Sequence, residues 1–174
     1  TQLTFGALAD FGDLRCWLYG QMTWNPDQDE QKLIGEWIDG TCGKGAPFVR
    51  KYYELRLKAR ARKGQDVTAA DYLEARDLFI KAVAAAKDEP AALARVERLS
   101  AGLIAAMIRD YDLTGIAAAA KAKKIDLPTR SGLIDQLEVL GKKYATKGWD
   151  AAWSEGGWNF ADYIAQLRKN VSGK

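Results

Sequence analysis

The chain has no histidine, and among its 174 residues there are only two cysteines, two methionines and four prolines. Without histidine, the commonest general base near neutral pH and the commonest zinc ligand are both missing. Two cysteines, Cys16 and Cys42, do not make a disulfide framework in a chain of this length. They sit on neighbouring predicted segments, and free thiols are favoured over a bridge. No apolar run reaches the roughly 18 residues of a membrane-spanning helix, so no span is expected. The first residues, Thr1-Gln2-Leu3-Thr4-Phe5, lack the basic-then-apolar order of a signal peptide and give no compartment.

Against these shortages stands a hydrophobic content of 48%, enough for a buried core and too much for a disordered chain. The formal net charge of +3 conceals one strongly basic stretch. Arg50, Lys51, Arg56, Lys58, Arg60, Arg62 and Lys63 stand there against Glu54 alone. Clustered bases could meet phosphates. No zinc-finger spacing or glycine-flanked aromatic motif accompanies them, so a solvated helix face with a basic last turn is the preferred reading and no nucleic-acid partner is expected.

The apolar spacing predicts an all-α array of about six to eight mostly antiparallel helices, with no strand. The first helix spans about Asp13 to Thr23, where Leu14, Trp17, Leu18 and Met22 recur at helical spacing while Cys16 and Tyr19 fill the other side. A helix apolar on most of its circumference is expected to be covered on both sides. The second runs from Asp27 to Asp39, with acidic residues at its start, a Leu33, Ile34, Trp37 and Ile38 face, and Gly40 as its stop. The third starts near Pro47 and places Phe48, Tyr52, Leu55 and Ala59 on one stripe. Arg60 to Asp66 reads as a polar linker, dividing residues 1–64 from a helical bundle over 65–174 within what is expected to be one compact domain.

Beyond the linker, Thr68 and Asp71 have capping-box spacing. A long helix should follow to about Lys87, inward through Tyr72, Ala75, Phe79, Ala82, Val83 and Ala86. Pro90 opens its hairpin partner, which carries Val96, Leu99, Leu103 and Met107. Leu113 to Lys124, with four consecutive alanines, predicts one short helix. Thr129 caps a helix through Leu133, Leu137, Leu140 and Tyr144 that ends near Gly148. A last helix presents Phe160, Tyr163, Ile164, Leu167 and Val171.

Little of this advertises chemistry. Gly43-Lys44 fails as a phosphate loop, because position 38 is Ile and position 45 is Gly where the motif needs Gly and Ser or Thr. The carboxylates fall mostly at helix starts and caps, so no catalytic residue, cofactor site or metal site is assigned. Trp149, Trp153 and Trp158 lie close together beside Asp150 and Asn159, a composition suited to stacking on sugar rings. The plainer reading is that they plug the end of the bundle.

Leu14 to Asp29, then Trp37-Ile38-Asp39-Gly40-Thr41-Cys42-Gly43 and Ala46 to Tyr53, resemble a pattern in bacterial glycoside-hydrolase-like proteins. There a helix ends in Leu-Trp-Asn/Asp-Pro, an acidic helix follows, and a turn leads into a helix with a tyrosine pair. The group is the uncharacterised family related to α-glucuronidases and β-hexosaminidases, and the match covers about residues 8–60. An aromatic pair expected in the turn is replaced here by Thr41-Cys42. The resemblance implies a C-terminal helical domain that follows a (β/α)8 barrel, with catalytic carboxylates and sugar subsites on that barrel and a secreted or periplasmic location.

From this follow three expectations of function. The chain is a non-catalytic support for an adjoining catalytic barrel, touching it through Trp17, Leu18, Met22 and Trp24. Alternatively it is a stand-alone helical module that binds a partner protein, or a polysaccharide-binding module using Trp149, Trp153 and Trp158.

Overall fold

A computed structural model describes residues 10–62, 67–144 and 159–172. Within them the chain is all-α, with no strand. Eight helices of seven or more residues and one single turn follow in order among the described residues: α1 Gly12–Trp24, α2 Glu30–Cys42, α3 Ala46–Ala61, α4 Ala69–Ala86, α5 Pro90–Arg109, the single turn α6 Tyr111–Thr114, α7 Ile116–Ala122, α8 Arg130–Lys143 and α9 Phe160–Ser172. A 3-10 turn over Gly43–Gly45 joins α2 to α3.

Local chemistry sets most of these limits. Thr68 accepts from the Asp71 backbone N–H while Asp71 accepts from the Thr68 backbone, so α4 starts with the reciprocal capping box its sequence predicts. Pro90 sits in the first turn of α5, where its missing N–H costs nothing. Thr129 caps α8 through the Gly132 N–H at 3.1 Å. Asp29 performs the same task for α2, accepting from Gln31 and Lys32. That helix therefore starts at Glu30, later than Asp27.

The α2 stop is also displaced. Gly40 lies inside the helix and exposed, and α2 runs on to Cys42 before Gly43 breaks it with φ 49°. Gly43 takes the left-handed region that a side chain resists, whereas Gly40 needs no such freedom. The predicted single helix over 113–124 is similarly divided, because Gly115 at φ 63° separates α6 from α7.

One contiguous core runs from Phe11 in the segment before α1 to Leu167 in α9. α4 lies along both α3 and α5, with Tyr72, Ala75, Phe79, Ala82 and Ala86 buried. Val83, expected on the same stripe, is only half-buried and borders a groove. On α3 the buried stripe is Ala46, Val49, Tyr52 and Ala59, while Phe48 and Leu55 are half-buried at its edges. Spacings of three, three and seven give the same helical face as the predicted set, rotated by a fraction of a turn.

Close backbone approach uses small residues. A Cβ at Gly45 would lie 3.0 Å from the Ala82 carbonyl oxygen and 3.1 Å from Val96, so the 3-10 turn nests between α4 and α5 only as glycine. Gly141 on α8 similarly leaves the space that the Phe160 ring of α9 fills.

Candidate functional site

Among the described residues, the most exposed large hydrophobic side chain stands at the end of α1. Of α1 only Leu14 is fully buried; Trp17 and Leu18 pack half-buried against the core, and Met22 is half-buried. Tyr19 is 56% exposed and Trp24 is 91% exposed. The structure therefore divides the four predicted contact residues: Trp17 and Leu18 contribute to packing within the chain, Met22 is intermediate, and Trp24 stands in solvent.

Trp24 is held in place from below. The Asn25 N–H donates to the Gln21 carbonyl at 3.0 Å, and the Gln28 amide donates to that same carbonyl at 3.0 Å and to the Asn25 carbonyl at 3.2 Å. Asn25 Oδ1 accepts from the Asp27 N–H at 3.2 Å. The Trp24-Asn25-Pro26-Asp27-Gln28 turn thus closes back on the Gln21 carbonyl in the last turn of α1 with its own groups. An aromatic side chain at the end of a helix closed in this way loses little further backbone freedom when a partner covers it.

At its other end α1 is clasped to α3. Phe11 stacks on Tyr52 with ring centroids 5.6 Å apart and meets Tyr53 edge-on at 5.4 Å. The Tyr52 hydroxyl donates to Asp10 at 3.1 Å, and Arg56 pairs with the same carboxylate at 2.7 Å. Burial, and then the Asp10 charge, push the Tyr52 hydroxyl well above its ordinary pKa. Phe11 adopts φ 51°, a left-handed conformation that a β-carbon disfavours. The contacts of its ring and of Asp10 hold it there. The tyrosine pair in the sequence was a visible signal, but its partners Asp10 and Phe11 were not.

A second polar cluster closes the start of α4. Arg62 and Thr68 both bond Asp71, and Tyr72 donates to Asp110 at the end of α5. The cavity beside Tyr52, Arg56, Asp71 and Tyr72 measures about 10 Å³. That is room for about one water molecule and no substrate. Although the tyrosines and carboxylates here resemble acid–base machinery, they are occupied in joining helices.

Three of the seven bases in the stretch on and just after α3 are held in ion pairs within the chain. Arg50 pairs with Asp39 of α2, Arg56 with Asp10 and Arg62 with Asp71. Lys44, in the glycine-rich turn, has its N–H accepted by Glu89 at 2.9 Å and its ammonium 3.5 Å from the same carboxylate. A carboxylate of the chain thus sits where the phosphate-loop reading would have needed an anion. Cys16 and Cys42 are both free thiols, Cys42 fully buried.

Trp149, Trp153 and Trp158 lie outside the described residues. Among the described residues no group of three or more His, Cys, Asp or Glu is placed to hold a metal, and no helix is long and apolar enough to cross a membrane.

Comparison with known proteins adds one relation. Residues 5–54 match the family model described as a domain of unknown function, DUF4838. The matched stretch contains α1, α2, the 3-10 turn and the first part of α3, and so takes in Trp24 and the clasp except for Arg56. No curated protein and no solved structure matches the chain.

Proposed function

We propose that this chain is a non-catalytic helical domain of a larger carbohydrate-active protein, attached through the exposed end of α1. The observation that carries the attachment is Trp24, 91% exposed beside a turn that Gln28 and Asn25 brace with hydrogen bonds to Gln21 and Asn25. Tryptophan is enriched among the residues that dominate interface energies, and a rigid one presents its apolar area at little entropic cost. The carbohydrate context is supported by the resemblance over residues 8–60 to glycoside-hydrolase-like proteins. The family match over residues 5–54 overlaps that stretch and carries no activity of its own.

Hydrogen exchange on the chain alone and within its natural full-length polypeptide tests the reading. Amides of residues 17–24 should be protected in the full-length protein and exchange faster in the chain alone. Equal exchange in both overturns the attachment. A natural polypeptide without a further domain would instead favour the second reading, a module that covers the same face with a separate partner protein.

A further inference from the structure

The end of α1 that carries Trp24 is electrostatically one-sided. No lysine or arginine occurs in residues 16–31, while Asp27, Asp29 and Glu30 are all exposed there. The earlier carboxylates of this region are neutralised from within the chain, Asp10 by Arg56 and Asp13 by Arg95. Among the described residues no base pairs with the three that follow Trp24. Lys32, the next base along the chain, is turned to Glu36 at 3.8 Å. Asp29 spends one oxygen on the Gln31 and Lys32 N–H groups, and the Asp27 carboxylate takes no donor from the described residues.

The backbone adds to the same sign. α1 has no basic residue in its last turn, so no side chain offsets the negative end of its dipole. The Gln21 carbonyl is taken by Asn25 and Gln28, but Pro26 has no N–H to return to Met22, and no described group donates to the carbonyls of Met22, Thr23 or Trp24. The Trp24 ring contributes the negative face of its π system. Asp27 follows Trp24 by three residues, so their backbones lie within about 10 Å of each other and one partner patch spans both. Carboxylate, helix end and ring therefore all favour positive charge over this one turn.

We propose that the surface covering the end of α1 is a basic one on the adjoining domain, with an arginine stacked on Trp24 and a separate lysine or arginine set against Asp27; this rests on the attachment read above from Trp24. A guanidinium is planar, weakly hydrated and stacks on aromatic faces, which suits an exposed tryptophan better than an ammonium does. Arginine and tryptophan are also the residues most enriched among those that dominate interface energies. Complementary charge around them fixes which surface docks and in which orientation.

The test is hydrogen exchange on the natural full-length polypeptide, read at the amides of residues 17–24 with those of α4 as internal control. Asp27→Lys should lower the protection of residues 17–24 about ten-fold and Asp27→Asn about three-fold, the first by replacing attraction with repulsion and the second by removing attraction alone. Raising sodium chloride from about 0.05 M to about 0.5 M should lower the same protection in the unsubstituted protein and leave the α4 amides unchanged. Neither variant should lower protection in the chain alone, where the Asp27 carboxylate holds nothing. Protection that is present but indifferent to Asp27→Lys or to salt overturns the proposal and leaves the attachment standing. Exchange over residues 17–24 that is equal in the unsubstituted full-length protein and the chain alone overturns both. Protection that appears in the chain alone and rises with its concentration would place a second copy over Trp24 and also overturn the proposal. The salt series decides the matter on the unsubstituted protein even if a variant does not fold.

Discussion

The Tyr72 hydroxyl donates to Asp110 Oδ2 across 2.5 Å, and Arg109 grips both oxygens of the same carboxylate at 2.7 Å. The bond ties the first turn of α4 to the last residue before α6, closing the open end of the α4–α5 hairpin. Tyr72 is buried, so the bond is shielded from competition by water. Tyr72→Phe keeps the ring and removes the bond to a charged acceptor, which should cost about 2 kcal/mol. Urea unfolding followed by circular dichroism measures it. A loss below about 0.5 kcal/mol, the level of an ordinary surface substitution, would show that the bond does not fasten the hairpin.

The same contacts dictate the pH range of stability. The Arg109 hydrogen bond, and then that of Tyr72, hold the Asp110 carboxyl below its ordinary value against the effect of burial. Burial would raise Asp71, but the hydrogen bonds from Arg62 and Thr68 outweigh it and leave that carboxyl lowered too. A carboxyl lowered in the folded state stabilises above its unfolded value of about 3.9 and loses that contribution as pH falls below it. Tyr52 and Tyr72 are shifted upward, chiefly by burial and then by Asp10 and Asp110. Their contribution is complete below the unfolded tyrosine value of about 10 and is lost as pH rises beyond it. Urea midpoints should therefore decline below about pH 4 and again above about pH 10. In Tyr72→Phe the alkaline decline should be shallower than in the parent, and an identical alkaline limb would assign it to other groups.

Much of this fold was legible because its signals are local. The Thr68–Asp71 box, Pro90 and Thr129 act within one helical turn, and the sequence spacing alone predicts them. The stops were harder. Gly40 and Gly43 are equivalent as letters, and only the packing of the 3-10 turn between α4 and α5 selects the second. The candidate site was visible as an excess of apolar residues on α1, but not its division into inward Trp17 and Leu18 and outward Trp24. The clasp was hidden for a different reason: Asp10 and Tyr52 are 42 positions apart, and no local rule pairs them.

Phe11 gives a substitution test of the clasp in which backbone and side chain act in opposite directions. Its ring is buried between Tyr52 and Tyr53, and its backbone is left-handed at φ 51°. Phe11→Ala removes the ring and should cost about 3 kcal/mol or more. Phe11→Gly removes the same ring but also the β-carbon that resists this conformation, so it should be less damaging than alanine by about 1 kcal/mol. At most other buried positions glycine is the worse of the two. Thermal unfolding of both variants gives the order, and alanine equal to or better than glycine would mean that Phe11 is not held left-handed in solution.

Trp24 separates attachment from folding. Its side chain is outside the core, and the hydrogen bonds of its turn belong to Gln21, Asn25 and Gln28. Trp24→Ser should therefore change the stability of the isolated chain by no more than about 0.5 kcal/mol. In the attached state the same ring would be buried, and its loss should then weaken the association by about 2 kcal/mol or more, the level that marks a dominant interface residue. Comparing hydrogen exchange over α1 in the full-length polypeptide with and without the substitution reads the second effect. Urea unfolding of the isolated chain reads the first. Leu14→Ala is the counterpart: it sits on the same helix but is buried, so it should destabilise the isolated chain by about 2 to 5 kcal/mol. If Trp24→Ser instead destabilises the isolated chain to a similar degree, the ring packs within the fold in solution and the end of α1 is not an attachment surface.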